Sequence, residues 1–380
     1  MDTQKRQSAA AAWAASLLRS TLDLWLAAAA NDTGLFHPYL DRRWKRLGDG
    51  PLTLVSQCRP IYNFYRGYEL FGDTRYAEAA RGGLTALQTY FRLAPGRCRW
   101  AVTGDGEEAD PTPDAYGHAF SLLAQATAAR ALGDPGLMDS AMETWQYMSS
   151  AFTDDHGGLI WRLDGRPPDA ARRSQNPVMH TFEALMALHS VDATGRARTA
   201  ASDVLAFIGS LAGFTAGALI EEHTPDWTPL PVGQGGVVNL GHVFEWAWLL
   251  SEWHTITREP DVLLTGMAFL NAGLAWGLDA DGGVREACAP DGRITASGKG
   301  LWQQCEAIRA MSRYVTAHGQ TGVEADLQRT LSFFRRHFVD EEYGGVFASP
   351  EGLGYPARLD KGDAWKLDYH TVNMCLELIG

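Results

Sequence analysis

Three histidines lie in helical segments that are otherwise apolar: His180 in Asn176-Pro-Val-Met-His-Thr-Phe-Glu183, His242 in Gly241-His-Val-Phe-Glu245-Trp, and His370 in Trp365-Lys-Leu-Asp-Tyr-His. Burying a polar ring without a partner is unfavourable, so such positions call for either a structural hydrogen bond or a chemical task. An imidazole beside a carboxylate is the usual general acid or base near neutral pH. Glu245 lies three residues after His242, on the same helical face, and is expected to orient it. Trp302 and Glu306, four apart in Leu301-Trp-Gln-Gln-Cys-Glu, place an aromatic face beside a carboxylate, the composition of a sugar site. Arg59, in Ser56-Gln-Cys-Arg-Pro-Ile-Tyr62, adds a cation to a segment that is turning apolar. Each feature has a plain structural counterpart: a core histidine with its hydrogen bond, a buried Trp with a surface Glu, a surface arginine.

Other chemistries fit these residues less well. Three histidines with carboxylates can hold a divalent metal, but there is no HxH or HExxH spacing. A glycosidase would need two carboxylates across the scissile bond, a role into which Glu245 and Glu306 would have to be forced. GxGxxG, P-loop and GxSxG patterns are absent, and the Gly-Gly pairs sit in acidic turns that repel phosphate.

These residues must be positioned by a repeated architecture. A Gly-plus-acidic turn followed by β-prone residues recurs at Asn31–Phe36, Asp154–Trp161, Asp279–Val284 and Asp340–Phe347, with weaker copies at Gly96–Val102 and Ala216–Glu222. The markers Gly34, Arg97, Gly157, Gly217, Gly282 and Gly344 are about 60 to 65 residues apart, so about six units fill the chain. Each unit has room for two helices of ordinary length and a short hairpin. The clearest helical stretches are 115–132, 176–190 (Asn176 as cap, Pro177 in the first position), 241–254 and 301–318. Val243–Leu250 is apolar nearly all round, whereas Thr321–His337 carries a single apolar stripe among charges, so inner and outer helices are expected to alternate. The expected fold is all-α: one domain over residues 1–380, an (α/α)6 barrel of about twelve helices joined by short β-hairpins.

Composition narrows the class. The 380 residues are 46% hydrophobic and 21% charged, enough apolar surface for a large core. The formal net charge of −12, without a basic cluster, disfavours nucleic acid and anionic membrane. No run of about 18 apolar residues suggests a membrane span. The first helix, with Trp13, Leu17, Leu18, Leu22 and Trp25 at helical spacing, reads as amphipathic rather than as a signal peptide. Five dispersed cysteines without CxxC fit reduced thiols and a cytoplasmic location. Oligomeric state, monomer or homo-oligomer, has no readable signal.

Taken in order, Gly34-Leu-Phe-His-Pro-Tyr-Leu-Asp, Ser56-Gln-Cys-Arg59, Asp114-Ala-Tyr-Gly-His118-Ala-Phe, Asn176–Glu183, Gly241–Trp246, Trp302–Glu306 and Trp365–His370 resemble the N-acylglucosamine 2-epimerase superfamily of (α/α)6-barrel sugar epimerases and aldose–ketose isomerases. The resemblance implies acid/base histidines at His242 and His370, a third site histidine at His180, and a substrate-binding arginine at Arg59. It also implies supporting glutamates at Glu245 and Glu306 and a sugar-stacking Trp365. Tyr62, His118, Asn176 and Trp302, from the same segments, complete the candidate set. The family's chemistry uses no metal and no redox cofactor. Trp246 directly after Glu245, and Asp-Tyr-His at 368–370, look like the isomerase branch; Trp365-Lys366 looks more like the epimerase branch. The expected reaction is C2-proton abstraction from an open-chain aldose, of the mannose-to-fructose type, on a neutral sugar. The alternatives are a 2-epimerase of a free or N-acylated sugar (a disaccharide such as cellobiose included), a glycosidase, and a non-catalytic sugar-binding barrel.

Overall fold

The structure, a computed structural model, describes residues 3–48, 50–167 and 170–380, with side chains from residue 7 onward. Twelve α-helices run through these residues in two alternating sets. The outer set is α1 (Thr3–Ala29), α3 (Thr74–Ala86), α5 (Pro135–Ala151), α7 (Arg196–Gly209), α9 (Pro260–Ala272) and α11 (Glu324–His337). The inner set is α2 (Leu54–Phe71), α4 (Ala115–Leu132), α6 (Gln175–His189), α8 (Leu240–Thr257), α10 (Leu301–His318) and α12 (Tyr369–Ile379). Each inner helix contacts the next, and α12 returns to α2, the arrangement of an (α/α)6 barrel.

Sequence character decides which ring a helix joins. Every residue of α4 from Ala115 to Ala129 is buried, as the apolar periphery of an inner helix requires. The outer α11 buries only Leu327, Thr330, Leu331, Phe333 and Phe334. α1 buries Ala14, Leu17, Leu18, Leu22 and Trp25 and leaves its other face to solvent, as its spacing predicts.

The repeated Gly turns join the rings. A Cβ at Gly282, which has φ +90°, would fall 2.7 Å from the backbone oxygen of Arg329, so the turn after α9 rests directly on α11. A Cβ at the equivalent Gly344 after α11 would fall 2.9 Å from the Leu24 side chain of α1, so the outer ring closes onto its own start.

Short antiparallel pairs lie just before the inner helices. Leu52–Thr53 pairs with Ala101–Val102, Arg173–Ser174 with Glu222–His223, and Val238–Asn239 with Ala287–Cys288. They deliver side-chain caps to the helices: Thr53 to α2, Ser174 to α6 and Asn239 to α8. One expected boundary moves. The cap of α6 is Ser174, not Asn176, because the strand residue reaches the Asn176 N–H first. Pro177 still sits in the first turn, where its missing N–H leaves no intrahelical bond unmade.

Candidate active site

The first turns of the inner helices converge on a pocket of about 560 Å³, lined among others by Arg59, Tyr116, Asn176, His180, His242, Trp302, Trp365 and His370. All six inner helices supply at least one of these residues.

His242 and His370 both pack against one indole. The Trp302 ring centroid is 5.0 Å from the His242 ring and 5.4 Å from that of His370. Gly241 makes this possible, since a Cβ there would lie 2.3 Å from the Trp302 ring. Both histidines are anchored through Nδ1. His370 Nδ1 donates to Glu306 Oε1 at 2.7 Å, and His242 Nδ1 donates to Glu221 Oε2 at 2.7 Å. Each carboxylate fixes the tautomer and leaves Nε2 as the nitrogen free for a substrate.

The partner of His242 is therefore Glu221, and the expected role of Glu245 is corrected. A residue three positions on shares a helix face with His242, but an imidazole near a helix N-terminus reaches outward to the strand pair instead. Gln175 N–H donates to the Glu221 carbonyl at 3.1 Å, which draws Glu221 against the start of α6. The Gln175 side chain then holds the carboxylate: Trp246 Nε1 donates to its oxygen at 2.9 Å, and its Nε2 donates to Glu221 Oε2 at 3.0 Å. The acidic pair Glu221-Glu222, ending the apolar Ala218-Leu-Ile stretch in the repeat before His242, was the available signal.

Glu306 is not part of the pocket lining. It is fully buried beneath His370, with Arg309 Nη1 donating to its Oε2 at 3.2 Å. Burial pushes its carboxyl up, but the guanidinium of Arg309 and the bond from His370 together hold it below the ordinary value. Burial lowers the pKa of His370, against the opposing pull of Glu306, so its neutral, basic form prevails at neutral pH.

His180 bonds to Glu183 three residues on, at 3.0 Å, in the manner expected of His242 and Glu245. Burial lowers His180 to about 4, while His180 and Arg309 outweigh burial to hold Glu183 at about 2. Glu183 and Arg309 were not among the sequence candidates, although each lies three residues from one that was.

Arg59 lies on the pocket wall with its guanidinium engaged: Nη1 donates to the Trp365 carbonyl at 2.7 Å and Nη2 to the Tyr116 hydroxyl at 2.8 Å. Trp365 stands at the mouth, 53% exposed, with Trp100 at 6.0 Å and Tyr116 at 6.3 Å. Asn176 reaches the pocket from the first turn of α6, its buried Oδ1 without a partner.

Two candidates lie elsewhere. Tyr62 donates to Asn373 Oδ1 at 2.6 Å and faces a second cavity at the opposite end of the inner helices, beneath Tyr369. His118 is fully buried between backbone groups: its Nδ1 donates to the Asp114 carbonyl at 2.7 Å, and its Nε2 accepts from Cys98 N–H at 3.0 Å. Burial lowers it to about 4, and it ties the loop before α4 to the helix rather than touching the pocket.

Among the described residues, two trios bring ligand atoms within 4.8 Å of one another: His180, Glu183 and Glu245, and Glu245, Glu306 and His370. Arg309 contacts Glu306 at 3.2 Å and Glu183 at 3.7 Å, so a cation there would have to share these carboxylates with a fixed positive charge. We assign neither trio to a metal.

A pocket with two Nδ1-anchored histidines against one indole, at the helix N-termini of an (α/α)6 barrel, carries the groups for moving protons on a sugar. Residues 34–374 match the family described as N-acylglucosamine 2-epimerase (GlcNAc 2-epimerase). The chain belongs to this family. It is accordingly an enzyme of the carbohydrate isomerase and epimerase class. It is 27% identical over 351 residues to a D-mannose isomerase of Marinomonas mediterranea, covering 86% of each chain. It is also 27% identical over 323 residues to a mannose-6-phosphate isomerase of Rhizobium meliloti, covering 83% of this chain and 81% of that one. A crystal structure of D-mannose isomerase superposes with a TM-score of 0.86 at 22% identity, covering 97% of each chain. Among the described residues, no helix is long and apolar enough to cross a membrane.

Proposed function

We propose that this family member is an aldose–ketose isomerase of the D-mannose to D-fructose type, acting on a neutral sugar in its open-chain form. The observation that carries the reading is the placement of His242 and His370 against the same indole, Trp302, each with Nδ1 bonded to a glutamate. Trp365 offers its exposed face to the C–H groups of the sugar at the mouth. His242 assists ring opening. His370 Nε2 then takes the C2 proton, the C2–H electron pair forms the C1–C2 double bond, and the former carbonyl oxygen O1 becomes the enediolate oxygen. Arg59 and the Asn176 amide lie on the wall where that charge develops. His242 carries the O2 proton to O1, and His370 returns its proton to C1, leaving the carbonyl at C2. Only protons move, so every step is assigned to a side chain and none calls on a metal or redox cofactor.

The cations of the pocket support a neutral substrate over a sugar phosphate. Arg358 is paired with Asp363, Lys366 donates to Asp368 at 2.9 Å and to the Lys361 carbonyl at 2.7 Å, and Arg59 is engaged as above. A phosphate would have to break these pairs, with Glu221, Glu286 and Asp368 also on the pocket lining.

The second reading is 2-epimerisation. Two histidines at one pocket, each with Nδ1 anchored and Nε2 left for substrate, favour it, since one can remove the C2 proton and the other deliver one to the opposite face. Incubation with D-mannose followed by product analysis decides: fructose supports the isomerase, glucose without fructose the epimerase, and no product from mannose or other neutral aldoses overturns the proposal. We further propose that residues 1–380 form one catalytic domain.

A further inference from the structure

Among the described residues, Glu245 is the one carboxylate of the barrel centre with nothing bonded to it. It is fully buried on α8, and neither of its oxygens has a hydrogen-bond partner. Yet its carboxyl comes within 4.8 Å of ligand atoms of His180 and Glu183, and likewise of Glu306 and His370. Two carboxylates present only acceptors to each other, so neighbours of this kind bond only when one of them holds a proton.

The surrounding charges say which one does. Glu306 is held as an anion by His370 and Arg309, and Glu183 by His180 and Arg309. Arg309 from α10 and Arg59 from α2 are the two cations acting on Glu245. Two anions and two cations already balance. A third buried anion would leave the centre with a net negative charge and no donor to solvate it. The other titratable groups facing Glu245 are the phenols of Tyr116 from α4 and Tyr369 from α12, both raised by burial and neutral.

We propose that Glu245 is a neutral carboxylic acid whose O–H donates to Glu306, making it a positioning residue that sets the basicity of His370 through that glutamate. Burial, with Glu306 and Glu183 adding to it, raises the Glu245 carboxyl well above its ordinary value, in keeping with this geometry. A donor on Glu306 draws charge away from the oxygen facing His370 Nδ1 and keeps the imidazole neutral. The link to turnover rests on the reading of His370 as the C2 base; the protonation of Glu245 does not.

Two measurements separate these claims. In infrared difference spectra of wild type against Glu245→Gln at neutral pH, the C=O stretch of an un-ionised carboxylic acid should be present in wild type and lost in the variant. A difference spectrum showing only the loss of carboxylate bands would overturn the proposal, whatever the enzyme does to sugars. The second readout is the acid limb of the kcat/KM profile. Glu245→Leu removes the donor without changing the charge, so the limb should move up by about one pH unit. Glu245→Gln restores a neutral donor, so the limb should return to its wild-type position. If Glu245 were an anion, both variants would remove negative charge and move the limb down, and that result refutes the proposal. If no aldose is turned over, the function proposed above fails, and the infrared result still decides the state of Glu245.

Discussion

The two histidine–glutamate pairs at the pocket look alike from Nδ1 outward and differ in what lies behind the carboxylate. Glu306 sits on the ring itself, fully buried, with Arg309 against it. Glu221 comes from a connecting segment, lines the pocket, and is held by the neutral Gln175 amide. A carboxylate fixed by a guanidinium cannot readily change its charge or place, so His370 has a constant partner suited to a base that abstracts a carbon-bound proton. A carboxylate at the pocket wall is open to the substrate, so His242 is suited to handling hydroxyl protons. The difference teaches that the ring supplies the rigid half of the chemistry and the hairpin segments the adaptable half.

Removing either imidazole tests this division most severely. His370→Ala should reduce kcat by about 10³-fold or more and His242→Ala by about 10²-fold or more, each with an unchanged far-ultraviolet CD spectrum. Similar or reversed losses would erase the distinction between the two. The carboxylates come next: Glu306→Gln should cost about 10²-fold and Glu221→Gln about tenfold in kcat/KM. Trp365→Ala should raise KM about three- to tenfold and leave kcat nearly alone, as expected for a stacking face at the mouth.

The pH dependence has a fixed sign. Because burial lowers His370 from 6.5, the acid limb of kcat/KM should fall below pH 6.5. Stability follows the histidines that are buried and neutral. His118 and His180 drop from 6.5 to about 4 on folding, so between these values the unfolded chain binds more protons. Thermal stability should therefore decline as pH falls from 6.5 towards 4. His118→Ala should leave kcat/KM unchanged while costing about 2 kcal/mol of stability, the smallest effect on turnover of the set.

The ring was legible because it is written locally. The Gly-acidic turns recur, α4 and α10 span the residues their apolar periodicity predicts, and the stripe on α11 distinguishes an outer helix from an inner one. Site residues in the first turns of inner helices were legible for the same reason, since a polar group inside an apolar run is conspicuous. Partners contributed by another element were not. Nothing at fixed spacing from His242 points to Glu221, which arrives through the pairing of Arg173–Ser174 with Glu222–His223. Helical spacing suggested Glu245 because it was the nearest acid on the same face, while the pair that does form at that spacing is His180–Glu183. His118 stood out equally in the sequence, but its ring is taken up by two backbone groups, a structural use that leaves no distinct mark on the amino-acid order.

The most direct test of the central claim is to follow D-mannose by NMR in deuterated water with wild-type enzyme and with His370→Ala. Proton removal at C2 by His370 predicts deuterium entering the sugar at the carbons joined by the enediolate in wild type, with fructose formed, and neither event in the variant. Exchange, or conversion of mannose to fructose, that persists in His370→Ala would contradict it.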